Sequence, residues 1–549
     1  MSKRRGPYSG EALTRRAVLP VVAGGLTIVG SVRSTFAAHE SLAETGQERV
    51  RGASVGGVQI FRGIPYGGPT EGAGRFLPPS NPPKWAGVRD ATQTGPRAIQ
   101  APGNLFDDPH IGDYFCGGQE AKLGLDQQKD SENCLVLNVL TPALTGRRPV
   151  MVYIHGGGFT AGSGVIAIGA DKLVSEQDIV LVSINHRLNV FGYTYLGDLS
   201  PKYADSGNAG QLDLVAALEW VRNNISGFGG DPRNVTIFGE SGGGGKVSAL
   251  MAMPAAKGLF SKAIVESGSS LRVANKEQAT ERAKAILAKL GIAADQVDKL
   301  QEVPASQLFA ATSGGGSGIP GGGGPIIDGR SIPQQTWDPE APPISSEVPM
   351  IVGSCQEETT WMIGRGDEST FTLDEAGLRS RLAENFGAPA STVDKVVGIY
   401  RSVRPKATPA DLFFQITSDR GARMNAITQA ERKTRLGKAP AYMYYFTYQT
   451  PMEAGKWRAF HTAELPLVFR MVRYPDAEQV SKQLSAAWAA FARNGNPNHP
   501  GIPSWRAYNL EERPTMVFGG QRSQVENDPY REARSIFAAL PPARRPGGR

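Results

Sequence analysis

Asn234-Val-Thr-Ile-Phe-Gly-Glu-Ser-Gly-Gly243 decides how the rest of the chain is read. Val235 to Phe238 is a short β-branched and aromatic run, and it ends in Gly239-Glu240-Ser241-Gly242-Gly243. A helix-capable run follows, Lys246-Val-Ser-Ala-Leu-Met-Ala-Met253, closed by Pro254. A Gly-x-Ser-x-Gly between strand and helix makes a sharp turn whose small flanking residues let the serine hydroxyl project. The pentapeptide alone carries little information in a chain with 67 glycines among 549 residues. Gly52-Ala53-Ser54-Val55-Gly56 repeats it, but Val58-Gln-Ile-Phe-Arg62 beyond it is hairpin text with no helix. Ser54 therefore reads as a turn residue and Ser241 as a nucleophile.

Outward from this turn the chain alternates strands with helices. Pro149-Val-Met-Val-Tyr-Ile154 and Ile179-Val-Leu-Val-Ser-Ile184 are near-continuous apolar runs, as expected of parallel strands covered on both faces. Ser131 to Pro142 contains a further strand with apolar residues on both faces, and Leu212 to Asn224 has the spacing of an amphipathic helix. Lys262-Ala-Ile-Val-Glu266, Val348-Pro-Met-Ile-Val352, Ala441 to Thr447 and a final strand near Pro514 to Phe518 continue the pattern. Upstream, Phe61 to Tyr66, Arg75 to Pro79 and Trp85 to Asp90 are strand-like and proline-rich. Helical text runs from Gly268 to about Leu300. Gly314 to Gly324, the one low-complexity patch of the body, is expected to be a loop near the site, with strand-like text resuming at Pro325-Ile-Ile-Asp-Gly329. The fold class is α/β, with a large, mostly parallel, doubly wound sheet flanked by helices.

The formal charge of +7 suggests a polyanion partner until it is located. Residues 1 to 37 hold six basic side chains against Glu11, and the last nine residues hold Arg544, Arg545 and Arg549. The body between them is close to neutral, which removes the support for nucleic-acid binding. The N-terminus has the shape of an export signal: Arg15-Arg16, an apolar stretch to Val32, then Thr35-Phe-Ala-Ala38 as a small-residue cleavage region. The arginine pair is of the twin-arginine kind. The expected organisation is a signal over 1–37, a single domain over 38–540 and a basic tail over 541–549. The mature protein is expected to be secreted or periplasmic and free of the membrane, a monomer or weak homo-oligomer. Cys116, Cys134 and Cys355 lack metal-ligand spacing. They allow either a local Cys116–Cys134 disulfide, worth roughly 3 kcal/mol on the chain-entropy estimate, or three buried thiols.

A serine nucleophile needs a base, and the base needs an orienting acid. Of six histidines, His39 lies at the signal junction, His110 and His499 in loops, and His155 and His186 at strand ends. His461, in a loop downstream of the serine, satisfies the chain order Ser, acid, His. The acid belongs in the loop after Val348 to Val352, where Gly353-Ser-Cys-Gln-Glu-Glu-Thr359 offers Glu357 and Glu358. Acyl transfer also needs hydrogen-bond donors for the oxyanion. His155-Gly-Gly-Gly-Phe159, directly after an apolar strand, supplies backbone N–H groups, with Gly242 as a third donor. A phosphate loop is a poor reading of this stretch, because its lysine and Ser/Thr are missing and no helix obviously follows.

Taken together these residues resemble the type-B carboxylesterase family, which includes para-nitrobenzyl esterases and cholinesterases. Phe228 to Gly243 resembles the family's serine signature and Ser131-Glu-Asn-Cys-Leu-Val-Leu-Asn-Val139 its second signature. Phe61 to Tyr66, Gly258 to Gly268, Pro325 to Gly329 and Trp488 to Pro497 add to the likeness. The resemblance implies an α/β-hydrolase fold and a serine carboxylesterase needing no metal or organic cofactor, with a small-molecule ester as substrate. It makes Ser241, Glu358 and His461 the triad and Gly157, Gly158 and Gly242 the oxyanion donors. Gly242 stands where the family usually has alanine. The cysteine that family members often pair with the Cys134 position is missing near Ala98. The stretch Gln100 to Ser131 has Phe106, Tyr114 and Phe115 but no tryptophan, so a choline ester is not expected. A lipase-like or amide-cleaving hydrolase with the same triad, or a secreted binding protein on a silent scaffold, are the alternatives. Arg365 and Arg423 are candidate contacts for a carboxylated ester.

Overall fold

A computed structural model describes residues 40–101, 109–116, 128–312, 323–520 and 522–541. The expected signal segment 1–37, most of the glycine-rich patch, Phe106, the Cys116 side chain and the basic tail beyond Pro541 lie outside the described residues.

Thirteen strands form one sheet: β1 Glu40–Thr45, β2 Glu48–Val55, β3 Val58–Pro65, β4 Val88–Asp90, β5 Val136–Thr141, β6 Arg148–Ile154, β7 Val180–Ile184, β8 Gly230–Glu240, β9 Lys262–Glu266, β10 Met350–Cys355, β11 Ala441–Phe446, β12 Pro514–Phe518 and β13 Gln524–Asn527. Their spatial order is β1-β2-β3-β5-β7-β6-β8-β9-β10-β11-β12-β13, with β4 beside β2. From β7 through β12 every neighbouring pair is parallel. Along this order the pairs from β1 to β7 and the β12–β13 pair are antiparallel, and β4 runs parallel to β2.

The apolar runs of the central strands are explained by what covers them. In β6 and β7, Val150, Val152, Ile154, Val180, Val182 and Ile184 face one hydrophobic layer, and the alternate residues Met151, Tyr153 and Leu181 face the other. The first layer is closed by the helices Ala209–Asn224 and Gly242–Leu250, the second by Glu478–Asn494. A strand buried on both faces loses the polar alternation of a surface strand, which is the pattern seen in the sequence. A smaller apolar layer is formed by the helices Glu375–Phe386, Ala390–Val403, Pro409–Ser418 and Arg531–Ala539.

Several expectations shift. Ser54 lies within β2, paired with Gln59, and the turn falls at Gly56-Gly57. Pro325 to Gly329 forms only an isolated bridge from Ile326 to Ala274, because Asn208 takes up the Ile326 N–H and carbonyl that a strand partner would use. Pro514–Phe518 is not the last strand, since β13 follows it. Cys134 and Cys355 are buried free thiols, while the Cys116 side chain lies outside the described residues.

Candidate active site

The site lies at the carboxyl ends of the parallel strands. β8 ends at Glu240 and the helix Gly242–Leu250 begins two residues later, leaving Ser241 alone in the turn with φ 56° and ψ −122°. Its N–H donates to the Glu266 carbonyl at the end of β9, 2.8 Å away. The turn is tight because the helix start packs directly on β6: a Cβ at Gly243 would lie 2.1 Å from the Ile154 carbonyl oxygen. This backbone strain, held by neighbours on both sides, makes the serine side chain project.

His461 comes from the loop after β11 and Glu358 from the loop after β10. His461 Nε2 is 2.8 Å from Ser241 Oγ, and its Nδ1 is 2.5 Å from Glu358 Oε2. The Cys355 N–H donates to the other Glu358 oxygen at 2.7 Å. A proton on Nδ1, facing the carboxylate, leaves Nε2 free to accept from the serine hydroxyl. Glu357 points elsewhere: it pairs with Arg404 at 2.9 Å and accepts from Gln449. Of the two carboxylates that spacing left open, Glu358 is the one brought to His461.

The glycine triplet follows β6. Gly157 and Gly158 have φ of 84° and 62°, conformations that favour glycine. Neither N–H donates to another backbone acceptor among the described residues. Gly157 lines a cavity of about 140 Å³ with Ser241 and His461. Gly242 and Gly158 meet backbone to backbone, so closely that a Cβ on Gly242 would fall 2.2 Å from the Gly158 oxygen. The remaining cavity wall is largely aromatic and aliphatic, including Phe115, Tyr153, Ile166, Trp361 and Leu465.

Beneath the site three further carboxyls join Glu358 in a group that the sequence did not reveal. Glu240, Glu266, Glu358 and Glu464 are all buried. Glu240 Oε1 lies 3.5 Å from His461 Nε2 and has no hydrogen-bond partner among the described residues. Burial pushes its carboxyl well above the usual range, although His461 pulls the other way. Burial opposes charge on His461 too, but Glu240 and Glu358 outweigh it and raise the imidazole to about 9. Glu464 is raised by burial and accepts from Cys355 Sγ, Tyr444 and Ser267. Glu266, raised by burial to about 8, accepts from Trp488 Nε1. Glu240 and Glu464 were visible as neighbours of Ser241 and His461 in sequence, but their burial was not. Trp361 sits in a π-helical turn beyond Glu358, a position no periodicity marks.

The other candidates go elsewhere. His155 and His186 stack with ring centroids 4.8 Å apart, and burial holds both well below the ordinary histidine range. His110 has its backbone in the helix Pro109–Cys116, and His499 bonds the Gln483 carbonyl. His39 is outside the described residues. Arg423 is buried against Asp419, whereas Arg365 lies over the Trp361 ring at 4.7 Å. Among the described residues no group of three His, Cys, Asp or Glu is arranged to hold a metal.

Residues 39–537 match the model of the carboxylesterase family. The chain is 35% identical to the para-nitrobenzyl esterase of Bacillus subtilis (strain 168), over 88% of this chain and 96% of that one. It is 34% identical to the liver carboxylesterase of Sus scrofa, over 86% and 89% of the two chains. Among solved structures, a Geobacillus stearothermophilus carboxylesterase superposes with a TM-score of 0.76 at 34% identity, covering 90% of this chain and 99% of that one.

Proposed function

The chain belongs to the carboxylesterase family and is a serine hydrolase of carboxylic esters, and we propose that Ser241, His461 and Glu358 carry its reaction. Ser241 Oγ attacks the ester carbonyl as His461 Nε2 takes its proton. The N–H groups of Gly157, Gly158 and Gly242 receive the negative charge on the tetrahedral oxygen. The intermediate collapses, the alcohol leaves with the proton from His461, and water resolves the acyl-enzyme by the same steps in reverse. Glu358 holds the imidazole in the tautomer that can accept and offsets its transient charge.

The observation that carries this reading is the unbroken line from Glu358 through His461 to Ser241, beside a glycine loop with uncommitted N–H groups. The triad and the glycine loop are complete within one chain, and the working form proposed is a monomer or weak homo-oligomer. The cavity's apolar lining and small volume favour an uncharged, compact substrate group. Arg15-Arg16 and Phe36-Ala-Ala38 support export with removal of residues 1–37 from a domain of 38–540. Among the described residues no helix is long and apolar enough to cross a membrane.

The test is turnover of a short para-nitrophenyl ester together with labelling by a fluorophosphonate. Ser241→Ala should abolish both. Glu358→Gln should lower kcat by roughly 10³- to 10⁴-fold, and Glu357→Gln by less than about tenfold. Turnover by Ser241→Ala at the original rate would refute the mechanism, and the opposite ranking of the two glutamates would move the acid by one residue.

A further inference from the structure

Lys246 takes no part in the steps above, yet its surroundings are unusual for a lysine. It stands on the helix Gly242–Leu250, five residues after the nucleophile, and is fully buried. It forms no ion pair with a carboxylate among the described residues. Its Nζ donates instead to two main-chain oxygens, that of His155 at 2.9 Å and that of Gly158 at 2.8 Å, and lies 5.4 Å from the centre of the Phe159 ring. Taking a cation out of water without a counter-ion is unfavourable, so the groups that replace the water indicate what the residue is for.

Those two carbonyls bracket the glycine triplet. Gly156, Gly157 and Gly158 have no side chains with which to pack, and each glycine is free to adopt many conformations in the absence of a constraint. Left to itself such a segment would not hold two N–H groups in one direction. The lysine is a rigid reference for it because its helix is seated on β6: a Cβ at Gly243 would meet the Ile154 oxygen at 2.1 Å and the His155 backbone at 3.1 Å. The peptide units that present the Gly157 and Gly158 N–H groups lie between the two anchored carbonyls.

We propose that Lys246 is a positioning residue for the oxyanion loop, clamping the His155 and Gly158 carbonyls so that the N–H groups between them stay aimed at the reacting carbonyl oxygen. The inference rests on the oxyanion role assigned above to Gly157 and Gly158. The clamp does not depend on one protonation state. Burial draws the ammonium down to about 7, with Glu240 resisting, and a neutral amine still has two N–H donors for two acceptors. When charged, it also places a positive charge behind the loop in a poorly solvated region, where it favours the developing oxyanion.

Lys246→Met keeps most of the aliphatic stem and removes the donors. Kinetics with a para-nitrophenyl ester should show kcat reduced about ten- to hundredfold with KM within about twofold. Binding of a trifluoromethyl ketone, whose serine adduct carries an oxyanion in that loop, should weaken by the same factor while the melting temperature stays close to that of the parent. Unchanged kcat and ketone affinity would overturn the proposal, and so would a rise in KM alone. Should the variant not fold, wild-type enzyme labelled with 15N-lysine gives a second reading: a protected buried Nζ resonance that shifts when the ketone adduct forms supports the clamp, and one that does not move overturns it. Ser241→Ala in the same assays keeps the two questions apart, since hydrolysis surviving in that variant would fault the active-site assignment itself rather than the role of Lys246.

Discussion

Glu240 is the residue next to the nucleophile, and its charge bears directly on the base. With its unpartnered oxygen 3.5 Å from His461 Nε2, a negative Glu240 favours the imidazolium and holds the base in its inactive, protonated form to higher pH. Glu240→Gln removes that charge, so the imidazole should release its proton at lower pH. The rising limb of kcat/KM against pH should then move to lower pH by about one unit or more. A limb that stays in place would show that Glu240 is neutral across the working range. At this scale the sequence is informative where a residue is constrained by pattern and order. Ser241 and His461 were legible because a strand precedes the serine and only one histidine follows in a suitable loop. Glu358 and Glu357 were indistinguishable as letters, because their difference is a side-chain direction: one reaches His461 and the other Arg404. Lys246 was read as the start of a helical run, since nothing in a one-dimensional pattern says that an amine faces two carbonyls instead of solvent.

The helix Gly242–Leu250 shows the same limit among secondary-structure elements. Glycine is about 1 kcal/mol per residue worse than alanine in a helix interior, so four successive glycines delay the expected start to Lys246. The observed helix begins at Gly242 because packing against β6 and the glycine triplet requires residues without a Cβ, and this tertiary demand overrides propensity. A testable consequence follows at Gly242. A methyl group there would sit 2.2 to 2.5 Å from the Gly158 oxygen, Cα and nitrogen, so one of the two segments must move. Gly242→Ala should lower kcat/KM by about tenfold or more through displaced N–H donors, and also lower the melting temperature, because overpacking against backbone costs about 1–3 kcal/mol. Equal activity in the variant would show that the loop can yield at no catalytic cost. The parallel strands β6 and β7 were legible because burial on both faces leaves nearly continuous apolar runs, and β9 because its centre, Ala263-Ile-Val265, does the same between Lys262 and Glu266. β13 was missed because Gln524-Val-Glu-Asn527 is short, polar and half in solvent.

For the molecule as a whole, the buried carboxyls set a dependence of stability on pH. Glu266 ordinarily would titrate near 4.5 and in the fold does so at about 8. Between those values the folded chain holds a proton that the unfolded chain has released, so the contribution to stability falls as pH rises across that window. Glu266→Gln carries no such proton. Its melting temperature should therefore gain on that of the parent by a few degrees between pH 5 and pH 8, as followed by calorimetry; parallel curves would show that water reaches the carboxyl and lowers its pKa. The fold class was readable from alternation of strands and helices, but the order β7-β6-β8-β9-β10-β11 was not, because adjacency in a sheet leaves no local trace in the chain. That order has a further consequence. β9 alone separates β8, which carries Ser241, from β10, which leads to Glu358. Neighbouring strands lie about 4.8 Å apart, so the hydrogen-bond ladder sets a gap of about 10 Å, which a single imidazole with a hydrogen bond at each end can bridge. The sheet thus works as a ruler. The β9–β10 connection, and the β10–β11 connection beyond Glu358, can be lengthened or shortened without altering that gap, whereas a strand inserted beside β9 would disable the enzyme even with every active-site residue still in place.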